Sequence, residues 1–176
     1  DSFSGSIKVG YGRDPNYEEW APGDIELIEM KMRWNPSDQL RVNFRLNQQN
    51  NRRPQDRSLV SSGTVPRLKV EYQLNKSLFL RFVGQYNSSY RDSLRDSSKD
   101  GMPIYFKNSD GAFNRASKQE SNSLQTDFLF SYRPTPGTLV FVGYGSSMTE
   151  PQRYRFRSLE RKSDGFFIKL SYVYRL

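Results

Sequence analysis

The fold of this chain is decided by residues 40–47, which read Leu-Arg-Val-Asn-Phe-Arg-Leu-Asn, with an apolar side chain at every even position. Residues 68–74 (Leu-Lys-Val-Glu-Tyr-Gln-Leu) repeat this alternation. So do residues 166–176, where every even position is apolar or aromatic. Because successive side chains of a β-strand point to opposite faces, each segment forms a strand with one apolar and one polar face.

The same test predicts eight strands, whereas helical periodicity is hard to find anywhere in the chain. The predicted strands are residues 3–11, 24–34, 39–48, 67–74, 78–87, 123–133, 138–147 and 164–176. Three connections between them are short and rich in the turn-forming residues Pro, Asn, Asp and Gly. The short connections are 35–38, 75–77 and 134–137, and the long ones are 12–23, 49–66, 88–122 and 148–163.

This alternation of long and short connections favours one class of fold. Unstructured loops beyond about 12–15 residues are uncommon in compact soluble domains. Outer-membrane barrels, in contrast, have short periplasmic turns at one rim and longer extracellular loops at the other. Residues 1–176 are therefore predicted to form an all-β, antiparallel, up-and-down transmembrane β-barrel. Its eight strands are either a complete barrel or the C-terminal part of a larger one.

Composition excludes several classes of function. The 176 residues include 27 Lys and Arg against 19 Asp and Glu, which gives a net charge of +8, and 14% of them are aromatic. Cys and His are both absent, which removes thiol nucleophiles, imidazole bases and the common zinc sites. The acidic residues of 88–122 lack the spacing of a calcium loop. We therefore predict no enzymatic activity, no cofactor and no metal site.

The polar positions of the strands are the candidates for a lumen-facing row. In a closed eight-stranded barrel they would fill the interior as an ion-pair network. In a wider barrel they would line water, and their basic surplus would favour anions. A plainer interpretation is that they solvate one face of a sheet. The candidates are Arg33, Arg41, Arg45, Lys69, Glu71, Arg81, Asp127 and Lys169.

A second candidate site is residues 153–157, Arg-Tyr-Arg-Phe-Arg, in which cations and aromatic rings alternate. Arg153, Arg155 and Arg157 are predicted to bind anions such as the phosphates of lipopolysaccharide, or to stack nucleobases. The alternative is a strand extension above the membrane whose two rings pack against a neighbour. The cluster of Arg52, Arg53 and Arg57 is interpreted as a solvated loop.

The C-terminal two thirds of the chain resembles a known family of proteins. The resemblance covers residues 66–176, and these segments carry it: 66–74 with 80–86, 131–138 with 143–147, and 164–172. They are similar to the end of large bacterial outer-membrane proteins of unknown function. Members of that family join an N-terminal module, similar to family-9 carbohydrate-binding domains, to a long β-barrel. The resemblance implies that this chain is the last eight strands of such a barrel, and it supplies no catalytic residues.

Three functions remain open from the sequence. The first is a porin-like Gram-negative outer-membrane barrel, acting as an anchor, a pore, or a transport or assembly component tied to glycan handling. Its expected partners are outer-membrane lipid, lipopolysaccharide, the barrel-assembly machinery and the remainder of a larger barrel or partner chains, with no nucleic acid. The second is a soluble basic β-domain that binds single-stranded nucleic acid through arginines and aromatics. The third is a module that self-associates through open sheet edges.

Overall fold

The computed structural model describes residues 2–173, which form ten β-strands and no helix. The strands are β1 (Phe3–Asn16), β2 (Ala21–Trp34), β3 (Leu40–Arg52), β4 (Leu59–Gln73), β5 (Leu78–Arg91), β6 (Tyr105–Lys107), β7 (Phe113–Arg115), β8 (Gln119–Tyr132), β9 (Thr138–Glu150) and β10 (Glu160–Tyr172). No helix among the described residues is long and apolar enough to span a membrane.

Eight of these strands form one antiparallel sheet in the order β1-β2-β3-β4-β5-β8-β9-β10. Every strand therefore pairs with its nearest long neighbour in the chain, which confirms the predicted all-β up-and-down arrangement. The short strands β6 and β7 pair only with each other, within the β5–β8 connection. Three tight turns lie at one end of the sheet, hereafter the turn end, and the other connections lie at the opposite loop end.

The strands extend further toward the loop end than the sequence predicts. The strand β4 begins at Leu59 rather than at residue 67, and β8 begins at Gln119 rather than at residue 123. These extensions carry Ser, Thr, Asn and Gln on both faces, so they show no alternation of apolar and polar residues. The loops shorten accordingly, and only 92–118 and 151–159 remain long. The predicted alternation of long and short connections is therefore much weaker in the structure.

The sheet is not closed within residues 2–173. There β1 pairs only with β2, and β10 pairs only with β9. Closure of a barrel needs strand tilt and stagger that bring the first and last strands together. Here both edge strands remain exposed along almost their whole length. The alternative of a complete eight-stranded barrel is therefore wrong for this structure. The predicted last strand also includes Tyr174, Arg175 and Leu176, which lie outside the described residues.

Candidate functional site

The pairing register places all eight predicted lumen-facing residues on one face of the sheet. Residues that lie directly opposite each other on neighbouring strands point to the same side. We call this side the charged face; it carries Arg33, Arg41, Arg45, Lys69, Glu71, Arg81, Asp127 and Lys169. These residues share a face because polar and apolar residues alternate along each strand and because the pairing register aligns the strands. Whether this face lines a lumen stays a prediction.

The register brings most of these residues close together, but not all of them. Arg41 lies directly opposite Glu71, which lies opposite Arg81. Asp127 lies three strands away from the Arg45 position, on β8. Lys169 lies on the edge strand β10, opposite Phe141. The basic residues on β2, β3 and β4 therefore form the compact part of the site.

Two rows of cations cross these three strands. Lys31, Arg45 and Arg67 lie directly opposite one another, and the next row places Arg33 and Lys69 on either side of Asn43. Lys69 is paired with Glu71 at 2.9 Å between Nζ and Oε2. The five cations line a shallow groove of about 760 Å³.

The opposite side of the sheet, which we call the apolar face, is uncovered except near the loop end, where the β9–β10 connection lies against it. One row of directly opposed side chains crosses all eight long strands and contains only aromatic residues and valines. It consists of Phe3, Trp34, Val42, Val70, Phe82, Phe128, Tyr144 and Phe166. The rings of Phe82 and Phe128 lie 4.8 Å apart. At the edges, Val9 is 76% exposed and Leu170 is 68% exposed.

The apolar band ends sharply toward the loop end of the sheet. The row Thr64, Ser88, Asn122 and Glu150 lies on the same face but is polar, and all four residues are buried. The β9–β10 connection, residues 151–159, contacts this row. Ser88 donates a hydrogen bond to Asn122 at 2.7 Å within the row, whereas Thr64 accepts one from Arg153 and Glu150 accepts one from Tyr86.

The predicted anion-binding loop lies in this connection. Arg153 donates a hydrogen bond to Thr64 and stacks on Tyr154, with its guanidinium carbon 4.9 Å from the ring centroid. Tyr154 and Phe156 pack on Tyr86, with ring centroids 4.8 and 5.4 Å apart. The predicted packing of the two rings is confirmed, but residues 151–159 form no strand. The strand-extension alternative is therefore wrong, because the connection folds back onto the sheet.

The three arginines of this loop do not share one environment. The side chain of Arg153 is held against the sheet, whereas Arg155 and Arg157 are exposed. Binding of anions by these residues stays a prediction.

A buried ion-pair network at the loop end was missed by the sequence reasoning. Arg53 is 2% exposed and binds Glu19, which is fully buried, through two bonds of 2.5 and 2.8 Å. It also donates to Asp92 at 2.9 Å. Glu19 in turn accepts bonds from the Arg95 backbone and the Ser97 hydroxyl, each at 3.1 Å. The interpretation of Arg53 as a solvated loop residue is therefore wrong.

The network joins three connections that are distant in sequence: 17–20, 53–58 and 92–118. Burial alone would raise the pKa of Asp92, but the hydrogen bonds from Arg53, the Ser93 backbone and Tyr90, together with the positive charge of Arg53, outweigh it and lower that pKa below its ordinary value. Hydrogen bonds from Arg95 and Ser58 hold the pKa of Asp56 well below its usual range. No sequence signal links Glu19 with Arg53, because the pairing depends on how the loops fold together.

Fold and site together define an antiparallel meander with one charged face and one uncovered apolar face. No protein-family model, curated protein or solved structure matches the chain. The resemblance of residues 66–176 to an outer-membrane family therefore stays a prediction.

Proposed function

We propose that the chain is a set of transmembrane strands from a Gram-negative outer-membrane β-barrel larger than eight strands, acting as a membrane anchor or a pore. The observation that carries the proposal is the row of aromatic residues and valines that crosses all eight long strands on the uncovered face. In water this face would cost about 25 cal/mol for each Å² of apolar surface left exposed. In a bilayer the same surface faces hydrocarbon.

The length of the apolar band along a strand supports a membrane location. Along β5 the band runs from Leu78 to Tyr86, which is about 26 Å at a rise of about 3.3 Å per residue. A transmembrane β-strand needs about 9–11 tilted residues. Tyr86 itself packs under Tyr154 and Phe156, and beyond Tyr86 the same face is polar. This change marks the outer boundary of the proposed lipid-facing band.

The open edges support membership of a larger barrel. Unpaired backbone groups are not tolerated in hydrocarbon, so membrane sheets must close. Since β1 and β10 do not pair with each other in the described chain, we infer that further strands or partner chains close the sheet. Outer-membrane lipid, lipopolysaccharide and the barrel-assembly machinery are the partners that this location implies. A link to glycan handling rests only on the family resemblance.

Heat-modifiable migration tests the proposal on carbonate-washed outer membranes, run on a denaturing gel with and without boiling. We expect the chain in the washed membranes and a band that shifts on boiling. The boiled mass then distinguishes a 20.6 kDa barrel from a larger parent protein. Recovery only in the soluble fraction would overturn the proposal and favour the nucleic-acid alternative.

Single-cysteine labelling tests which face meets lipid, because the chain has no cysteine of its own. Val142→Cys lies on the apolar face and Gln125→Cys on the charged face, both on neighbouring strands. In reconstituted vesicles, a fluorophore on residue 142 should be quenched by lipid-attached quenchers, and one on residue 125 by aqueous iodide. The reverse pattern, or equal aqueous quenching at both positions, would contradict the proposal.

A further inference from the structure

Three cations face one another directly on the charged face, where opposed charges of mixed sign would be expected. Lys31 lies opposite Arg45, and Arg45 lies opposite Arg67. Directly opposed side chains have Cβ atoms about 4.5–5.5 Å apart, and like charges at that distance destabilise a sheet. The fold therefore keeps an unfavourable arrangement at this position.

The nearby row shows that the same sheet also places opposite charges directly next to each other. There Arg41, Glu71 and Arg81 alternate in sign across β3, β4 and β5. Glu29, the acidic residue that follows Lys31 on the charged face, lies opposite Lys8 and Asn47. Three directly opposed cations are thus a feature of the groove, whereas these neighbouring positions combine cations with acidic or neutral residues.

Most cations of the groove have no acidic partner. In residues 2–173, Lys31, Arg33, Arg45 and Arg67 form no ion pair, and Lys69 alone is paired, with Glu71. The described lining of the groove contains no carboxylate. Ser6 and Asn43 add neutral hydrogen-bond donors to it. The groove therefore presents donors and positive charge to whatever enters it.

We propose that this groove binds an organic polyanion with at least two phosphate or carboxylate groups. Adjacent strands lie about 4.8 Å apart, so the row from β2 to β4 spans about 10 Å. A single anionic group satisfies one guanidinium fork at a time, and a span of this length accommodates two. The inference rests on the proposed function in one respect: the charged face must contact water rather than another sheet.

Calorimetric titration in an uncharged detergent tests the site, on this chain together with the strands or partner chains that close its sheet. The probes are sodium tripolyphosphate and citrate, at an ionic strength matched with sodium chloride. The test variant is Arg45→Gln/Arg67→Gln. The matched control is Arg115→Gln/Arg133→Gln, which loses the same charge at exposed positions outside the groove.

We expect the chain to bind at least one probe and the test variant to bind it about tenfold or more weakly, because two charge-assisted contacts are lost. The control should bind as the unchanged chain does. Equal weakening in both variants would indicate diffuse charge attraction and overturn the proposal. Absence of binding to both probes would overturn it as well.

Thermal unfolding gives a second readout that does not depend on the titration. The test variant should unfold at the same or a higher temperature than the unchanged chain without anion, since the repulsion between opposed cations is relieved. Tripolyphosphate should raise the unfolding temperature of the unchanged chain and leave that of the variant unmoved. A test variant that is already destabilised without anion would contradict the proposed strain.

Two further measurements distinguish this proposal from the nucleic-acid alternative and from the barrel proposal. Tighter binding of a twenty-nucleotide oligothymidylate than of either small anion, through the same two arginines, would overturn the small-anion assignment in favour of a nucleic-acid surface. Heat-modifiable migration, run in parallel, reports on the barrel alone. A heat-modifiable chain that binds neither probe would overturn only the proposed anion site. A soluble chain that binds them would overturn only the proposed barrel.

Discussion

At the residue scale, the buried pair of Arg53 and Glu19 makes the sharpest stability prediction. Arg53→Gln leaves the buried Glu19 carboxylate without its charged partner, which costs about 3–5 kcal/mol in a buried pair. The neighbouring Arg52 is paired with Glu26 at 3.3 Å, and both side chains are about one third exposed. Arg52→Gln should therefore cost less than about 1 kcal/mol. Denaturant unfolding of the chain in detergent measures both, and equal losses would contradict the buried network.

The same network predicts how the loop end responds to acid. The pKa values of Asp56 and Asp92 are lowered in the folded chain, below an unfolded value of about 3.9. Their stabilisation is therefore complete above about pH 4 and is lost as the pH falls toward their folded pKa values. Hydrogen exchange should show residues 92–97 opening below about pH 4. Arg95→Gln, which removes the partner of Asp56, should bring the opening to a higher pH. Unchanged protection at pH 2.5 would contradict this prediction.

At the scale of the element, the Tyr86 hydroxyl contributes two of the hydrogen bonds around the β9–β10 connection. The Tyr86 hydroxyl donates to Glu150 and accepts the Tyr154 amide at 3.0 Å. Tyr86→Phe leaves both groups without this partner, a cost of about 1–3 kcal/mol for a buried polar group. Trypsin should then cleave after Arg155 faster than in the unchanged chain. Tyr90→Phe on the same strand removes only a contact of 3.5 Å to Asp92 and should leave the cleavage rate unchanged. Equal rates in all three proteins would show that the hydroxyl does not hold the connection.

The elements also show why part of this structure was predictable from sequence. Residues 40–47 alternate because one face of β3 is apolar and the other carries charge, so their strand and both faces follow from the pattern. Residues 61–64 (Ser-Ser-Gly-Thr) pair in the sheet with small or polar residues on both sides, and their pattern carries no such signal. The strands β6 and β7 are only three residues each, too short for any periodicity. The eight lumen candidates share a face for the same reason, because apolar and polar residues alternate along their strands as they do along β3. The groove within that face depends on which strand positions lie opposite one another, and a single strand does not encode that register.

At the scale of the whole molecule, an uncovered apolar face and two open edges predict behaviour in water. The exposed edges β1 and β10 offer unpaired backbone groups to other chains, and toward the turn end the apolar face between them has no covering layer among the described residues. Without detergent the chain should therefore elute as large assemblies, whereas an uncharged detergent should yield defined particles. Light scattering coupled to size exclusion measures the protein mass in each case. Ile7→Lys/Ile168→Lys places charge on the apolar side of the two edge strands and should reduce assembly in water only in part, because the central band of the face is unchanged. A monodisperse 20.6 kDa monomer in the absence of detergent would contradict both the membrane proposal and self-association. Such a monomer would require that the apolar face be covered by a fold other than this open sheet.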